Sequence, residues 1–377
     1  MKDSTDHRVD CPDRKACGAC SMLQVPYGEQ LERKRAVLEK ALSGRLRLAP
    51  GQLLETLPSP RIEGYRNRAK MTISSDRDHR WSLGYFQRRS REVVDAPDCG
   101  VLVPELLETT RRLRRLMNAS VSFPFPLRHI DLRCGSDPSK QHLTLVVKAQ
   151  QLPRLPIEEI VEACPQVVGI AVNLNTTGNA QVIKGRIDPV HGVREVFVDS
   201  GRLSLRVSPG SFFQVNLSLL PALHARMGDF LGQGGLLVDL YAGVGTHGLA
   251  LRRGFRRVIC IEGVRSAVAD AKASIKAGRV GNVEVLASST GRAVRRMRSE
   301  TPDAIVLNPS AAGADRPTLD WINGSKARSL AYLSCDPETL ARDLAVLVGG
   351  GYQLDSVQAV DMMPQTSQIE SLAFLRR

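Results

Sequence analysis

From about residue 209 onward, short and strongly apolar runs alternate with helix-like segments, and this alternation restricts the fold more than any other feature of the sequence. The runs lie in "LLVDLYAGVGTHGLALRRG", "RVICIEGV", "NVEVLAS", "PDAIVLNPS", "SLAYLSC" and "YQLDSVQAVD". Strands this apolar must be covered on both faces, so the pattern predicts an α/β, doubly wound, Rossmann-like parallel sheet over 208–377. Residues 61–207 differ. There "KMTISS", "HLTLVVKA", "GIAVNLNT" and "REVFVD" are separated by Gly, Asn and Pro turns, which predicts a mostly antiparallel β-rich region. Residues 1–60 carry a cysteine cluster and then a helix pattern with Leu31, Leu38 and Leu42 on one face and Gly44 as its stop. A length of 377 residues exceeds what one core usually holds, in keeping with three such regions.

The net charge is +13, and arginines cluster in "QRRSR", "RRLRR", "LRRGFRR" and "RAVRRMR". An excess of arginine suits a polyanionic partner, most simply nucleic acid, because guanidinium forks match phosphate geometry and each contact releases a counterion. Read one at a time, such clusters are equally well solvated helix faces. No apolar run reaches the roughly 18–20 residues of a membrane helix. The start "MKDSTDHRVD" has no apolar core of a secretion signal, so a cytoplasmic protein is expected.

In "LLVDLYAGVGTHGLALRRG" an apolar strand ends at Asp239, Gly243 and Gly245 make a tight turn, and a helix begins near Gly248. Ligands of open α/β sheets bind outside the carboxyl ends of such strands. Glu262 ends the next strand, placed to accept both hydroxyls of a ribose. Gly243, Gly245 and Gly248 also match the dinucleotide spacing G-x-G-x-x-G. The carboxylate of Asp239 beside the turn repels a pyrophosphate and suits a sulfonium cation, which points to S-adenosylmethionine rather than NAD.

Two more strands end in "LNPS", at Asn308, and in "YLSC", at Cys335. Taken alone, a cysteine at a strand end is more often a packing residue. Beside a methyl donor it becomes a candidate nucleophile, and the N-terminal amides of the helix in "PETLARD" are expected to lower its pKa. A thiolate beside a methyl donor suits one reaction in particular. C5 of uracil is a poor nucleophile, but thiolate addition at C6 makes C5 enolate-like and able to take a methyl group. A general base must then remove the C5 proton. Glu370 is the only acid between Asp361 and the C-terminus. Cys134, Cys164 and Cys260 stand singly and are expected to be inert. Cys11, Cys17 and Cys20 are spaced C-x5-C-x2-C, and Cys99 stands in "DAPDCGVL". Four thiolates hold either a [4Fe–4S] cluster or zinc, and the spacing does not separate the two. It is not the C-x3-C-x2-C of radical S-adenosylmethionine enzymes.

"GYRNRAKM", "GSFFQVN", "DLYAGVGT", "SCDPETLARD" and "MPQTSQIES", in this order across nearly the whole chain, resemble the motifs of the RNA (uracil-5-)-methyltransferase family, in its iron–sulfur branch that acts on 23S ribosomal RNA. The resemblance implies a class I methyltransferase domain with Cys335 as nucleophile and Glu370 as base. Gln214, Tyr241, Thr246, Glu262 and Asn308 would contact S-adenosylmethionine. Cys11, Cys17, Cys20 and Cys99 would hold a [4Fe–4S] cluster rather than zinc, and Arg66 and Arg68 would line the RNA side. The start at the cysteine cluster, without an N-terminal RNA-binding barrel, and the Asn-Pro pair resemble the shorter ribosomal branch. The expected reaction is 5-methyluridine formation in 23S rRNA by a monomer, on a base flipped from its stack. The same chemistry on tRNA and a non-catalytic RNA-binding or ribosome-assembly role are the alternatives. Three positions depart from the family pattern: Ala311 where many members have arginine, Gln368 where histidine is usual, and Ala242 where a loop cysteine is common.

Overall fold

The computed structural model describes residues 9, 11–76, 78, 80–120, 126–176, 182, 183 and 185–377. The reading of the extreme N-terminus rests on residues 1–8 and 10, which lie outside these.

The N-terminal segment leads into α1 (Tyr27–Ser43). The central region holds β1 (Arg68–Ser75), β2 (Trp81–Phe86), β3 (Val93–Asp95), α2 (Pro104–Ala119), β4 (Leu127–Cys134), β5 (Gln141–Val147), α3 (Ile157–Ala163), β6 (Val167–Leu174) and β7 (Ile187–Gly192). Its seven strands run in the order β3-β2-β1-β4-β5-β6-β7. All neighbours pair antiparallel except β5 and β6, which α3 connects in parallel. Period-2 patterning gives this sheet one apolar face. Met71, Leu132, Leu143 and Ile170 pack there against Leu106 and Leu113 of α2 and Ile160 of α3. A hairpin of β8 (Val196–Ser200) and β9 (Leu203–Val207) leads into the C-terminal region.

That region contains α4 (Leu220–Leu231), β10 (Gly234–Leu240), α5 (Thr246–Leu251), β11 (Phe255–Glu262), α6 (Arg265–Ala277), β12 (Val283–Ala287), α7 (Thr290–Arg296), β13 (Ala304–Leu307), α8 (Arg316–Ser325), β14 (Ser329–Ser334), α9 (Pro337–Gly349), β15 (Gln353–Val360) and β16 (Glu370–Arg376). The strand order is β12-β11-β10-β13-β14-β16-β15. Strands β10 to β14 pair in parallel, as the alternation predicts. Each face has its own core: Leu237, Val258 and Val306 belong to one, and Val238, Ile259 and Ile305 to the other.

A wholly parallel sheet is not what forms. Strand β16 inserts antiparallel between β14 and β15. The loop 361–369 turns the chain back after β15, so β16 forms a hairpin with it and needs no crossover helix. The start of β16 therefore lies at the same rim as the carboxyl ends of the parallel strands. The N-terminal segment packs on this sheet too. Leu38 and Leu42 of α1 share a core with Leu340 and Leu344 of α9 and Val357 of β15. Leu53 and Leu57 form parallel bridges to Val357 and Val360.

Candidate active site

The order β11-β10-β13 places a topological switch point between β10 and β13, where the loops after the two strands diverge and open a crevice. Residues 241–245, Glu262, Asn308 and Cys335 all follow or end strands at this rim.

Cys335 stands between Ser334, the last residue of β14, and Asp336, the N-cap of α9. The β14–β16 register pairs Ser334 with Ser371, so the next step sets Cys335 opposite Glu370. The thiol is half-buried and Glu370 is buried. Burial pushes the Glu370 carboxyl up to about 7, and its Oε2 has no hydrogen-bond partner among the described residues. A carboxyl in this state is poised to exchange a proton near neutral pH. The expected lowering of the Cys335 pKa is not found. Burial and then the Glu370 charge push the thiol up. The helix N-terminus gives little relief, because the Asp336 carboxylate accepts the Thr339 N–H at 2.8 Å and adds a negative charge of its own. Pro337 has no N–H to offer.

The turn after β10 is built on left-handed backbone, with φ at +59° for Tyr241, +57° for Gly243 and +84° for Gly245. No atom lies within 4 Å of a Cβ built on Gly243, so the turn is open on that side. Glu262 holds the turn: its Oε2 accepts the Gly243 N–H at 2.8 Å and its Oε1 accepts the Val264 N–H at 2.7 Å. Each oxygen keeps a lone pair for a further donor such as a ribose hydroxyl. Asp239 differs from the expectation of a carboxylate facing the ligand. It is fully buried, accepts the Gly248 N–H at 2.7 Å, and is pushed up to about 7, chiefly by burial. Its role is to pin α5 to β10, and its other oxygen, Oδ1, has no partner among the described residues.

Thr246 opens α5 and is buried. The Tyr241 hydroxyl accepts the Asp315 N–H at 3.4 Å and donates to Thr318 Oγ1 at 3.5 Å, at the start of α8. Gln214 is buried, and its carbonyl accepts from Asn67 Nδ2 at 3.3 Å, while Asn67 N–H donates to Val215 at 3.0 Å. The "GYRNRAKM" and "GSFFQVN" motifs thus meet edge to edge. Asn308 lies 3.4 Å from His247 Nε2, and His247 Nδ1 lies 3.2 Å from His224 Nε2. Burial lowers both histidines, to about 3 and about 4, so the chain of rings behind Asn308 is neutral. His224 sits within α4, with no glycine turn or strand end to draw attention, whereas His247 lies inside the glycine-turn segment itself, between Gly245 and Gly248, and was the legible member of the pair. Exposed Val264, beside Glu262, offers apolar surface at the same rim.

Arg68 does not face open solvent as an RNA-side arginine should. It makes a two-pronged pair with Asp131, and 13% of its side chain is exposed. Arg133 pairs with the same carboxylate. The "RRLRR" cluster on α2 is likewise paired internally, to Asp98, Glu108 and Asp95. Arg194 and Arg265, by contrast, line a cleft of about 520 Å³ between β7 and the start of α6, with buried His142 in its wall.

The remaining cysteines separate into two groups. Cys134, Cys164 and Cys260 are buried in apolar cores, and burial raises each thiol. Cys11, Cys17, Cys20 and Cys99 converge. Burial and then the charges of Cys99, Cys17 and Cys11 push Cys20 up to about 12. Arg66 lies close enough to Cys20 and Cys99 to lower both. Among the described residues none of the four is in a disulfide. Gly18 N–H donates to the Phe86 carbonyl and Cys17 bridges Gln87, which ties this segment to the β2–β3 hairpin. Among the described residues no three His, Cys, Asp or Glu side chains are grouped closely enough for a single metal ion.

The model of the tRNA (uracil-5-)-methyltransferase family matches residues 26–377. An uncharacterised RNA methyltransferase of Synechocystis sp. is 32% identical, over 98% of this chain and 82% of its own. One of Gloeobacter violaceus is 31% identical, over 99% of this chain and 84% of its own. Among solved structures, the Pyrococcus abyssi tRNA (uracil-54, C5)-methyltransferase in complex with S-adenosyl-L-homocysteine superposes with a TM-score of 0.76 and 26% identity, covering 95% of this chain and 86% of that one. With the glycine turn, the acidic strand end and the facing thiol and carboxyl on one rim, these matches settle the class: the chain belongs to the tRNA (uracil-5-)-methyltransferase family and is an S-adenosylmethionine-dependent RNA (uracil-C5) methyltransferase.

Proposed function

We propose that this enzyme forms 5-methyluridine in 23S ribosomal RNA through a covalent Cys335 adduct, with Glu370 as the base. The observation that carries the reading is the pairing of a half-buried thiol with a buried carboxyl across the β14–β16 register, at the rim that also bears the glycine turn. The target uridine leaves its stack to reach them. Cys335 loses its proton and its sulfur bonds to C6, moving the electron pair to C5 and O4. S-adenosylmethionine, when bound, supplies a methyl group to C5. The Glu370 carboxylate then takes the C5 proton, the C5=C6 double bond re-forms and the sulfur leaves as thiolate. Gly243, Glu262, Thr246, Tyr241, Gln214 and Asn308 would hold the methyl donor: the turn is open at Gly243, and Glu262 keeps acceptor capacity at the strand end. The cleft lined by Arg194 and Arg265 offers positive charge for RNA backbone beside this rim.

The four N-terminal thiols fit a [4Fe–4S] cluster in donor chemistry and in their convergence on Cys20, with Cys99 as fourth ligand. The preference for such a cluster over zinc follows from the motif resemblance, since four thiolates suit either. The methyl transfer needs no electron from such a cluster. Brown colour, with iron and sulfide found after anaerobic purification, is the expected result, and stoichiometric zinc would refute it.

The ribosomal target follows from the motif resemblance. A transfer-RNA target is the second reading, supported by the archaeal neighbour that spans nearly the whole chain. Labelled methyl donor, the purified protein and unmodified 23S rRNA or tRNA, followed by mapping of 5-methyluridine, decides between them. Transfer to neither RNA would overturn both.

A further inference from the structure

We propose that the cysteine segment and α1 form a clamp that positions Glu370, with Gln30 and Gln365 as its positioning residues; this rests on Glu370 being the base. The Glu370 carboxyl is not steered through Oε2, which has no partner among the described residues. Its location is set by the backbone that delivers it, the loop 361–369. Nearly every polar group at the centre of this loop is bonded to the N-terminal part of the chain. Lys34 Nζ donates to the Met363 carbonyl at 3.1 Å and the Tyr65 hydroxyl to the Pro364 carbonyl at 3.0 Å. Met22 N–H donates to the Gln365 carbonyl at 2.9 Å, and Ser367 N–H to Ser21 Oγ at 2.8 Å.

Gln365 is the centre of the arrangement. It is fully buried with φ at +69°, a left-handed conformation that is costly for a residue with a Cβ and that persists only when its surroundings impose it. Gln30 of α1, also fully buried, imposes it with a reciprocal pair: Gln365 N–H donates to Gln30 Oε1 at 3.0 Å, and Gln30 Nε2 donates to Gln365 Oε1 at 3.0 Å. The same Gln30 amide donates to the Val25 carbonyl at 2.9 Å and the Met22 carbonyl at 3.2 Å. One buried side chain therefore joins three stretches: the residues just after Cys20, the start of α1, and the loop that ends at Glu370. Ser21 and Met22 touch the loop, and they directly follow Cys20, on which the other three thiols converge. Whatever holds the four thiols together also holds the bottom of the clamp.

A displaced base slows the step in which the C5 proton leaves and the sulfur is eliminated, but not the addition that precedes it. Methylated RNA should then stay bound to the protein through Cys335, which denaturing gels with labelled RNA detect. The full-length protein is tested as Glu370→Gln, Gln30→Ala and Gln365→Gly, the last chosen because glycine tolerates the positive φ. The expected result is that all three accumulate the adduct. Gln30→Ala and Gln365→Gly should lose about ten- to a hundredfold in kcat with KM for RNA within about twofold, as for a reacting group displaced slightly from its productive position. The proposal is overturned if Glu370→Gln accumulates the adduct while neither glutamine variant does. If Glu370→Gln turns over normally without adduct, the base assignment itself is wrong. Should the variants fail to fold, hydrogen exchange of the unaltered protein before and after chelator treatment is the second measurement. Faster exchange at 363–370 with 243–249 unchanged supports the clamp, and no change at 363–370 overturns it.

Discussion

The two large sheets each have seven strands but are buried in opposite ways. The C-terminal sheet is apolar on both faces, with successive residues of β10, β11 and β13 entering different cores. The central sheet has one apolar face, and its other face is buried yet polar. There Asp131, Arg133, His142, Thr144 and Asn173 are all at most 3% exposed. The first sheet is a rigid platform whose chemistry is confined to its rim. The second carries charge inside, and its polar face is held by ion pairs to one carboxylate and by Arg133 donating to the Ser208, Pro209 and Ser211 carbonyls that lead to the "GSFFQVN" motif. The difference teaches where substitutions should hurt catalysis and where they should hurt folding.

The largest expected effect is at the rim. Cys335→Ala should reduce methyl transfer by at least about a thousandfold, as loss of a covalent nucleophile does, with thermal stability nearly unchanged. A variant that kept full turnover of labelled methyl would end the adduct mechanism. Next is Asp131→Ala in the central sheet, which leaves Arg68 and Arg133 buried without their partner and should cost about 3–5 kcal/mol in denaturant unfolding. The paired arginines hold Asp131 well below the usual carboxylate range despite its burial, so its stabilisation is complete above the unfolded value of 3.8 and is lost as pH falls through the lower folded value.

Glu370 has the opposite sign. Its carboxyl titrates at about 7 in the folded protein against 4.5 for the free group, so the native state holds a proton that the unfolded chain has released. Stability should be full below pH 4.5 and fall by roughly 3 kcal/mol as pH rises to about 7, and Glu370→Gln should remove that slope. Turnover should rise over the same range as the base ionises; a flat rate from pH 6 to about 8 would contradict the assignment. The smallest effect sharpens the comparison best. Thr144 Oγ1 is buried without a partner among the described residues, so Thr144→Val, nearly equal in shape, should be neutral or stabilise by up to about 1 kcal/mol. A clear loss would mean that the hydroxyl has a partner such as an ordered water.

The strand–helix units, the glycine turn and the strand-end residues Glu262, Asn308 and Cys335 were readable because each depends on a few neighbouring residues. The sequence reading erred where distant groups decide. The Asp239 carboxylate beside the turn was expected to act on the ligand's charge, but the fold buries it against Gly248. The same reading expected a lowered thiol pKa at Cys335, where Glu370 and burial raise it. It set Arg68 toward RNA, where Asp131 engages it. Gln30, Gln365 and His224 carry no local signal, since glutamine and histidine within helices and loops are ordinary; His247, framed by Gly245 and Gly248, does.

Apolar patterning and glycine placement by themselves determined the kind of sheet and where its ligand turn lies, because strand burial and positive φ are properties of short stretches of chain. Only the tertiary structure decided that Glu370 faces Cys335, that its proton is held to about 7, and that residues 21–34 grip the loop before it. The first two depend on the reversed insertion of β16 and on burial, and the third on hydrogen bonds between residues more than 300 positions apart, since electrostatics in a dry interior is set by everything that excludes water from it.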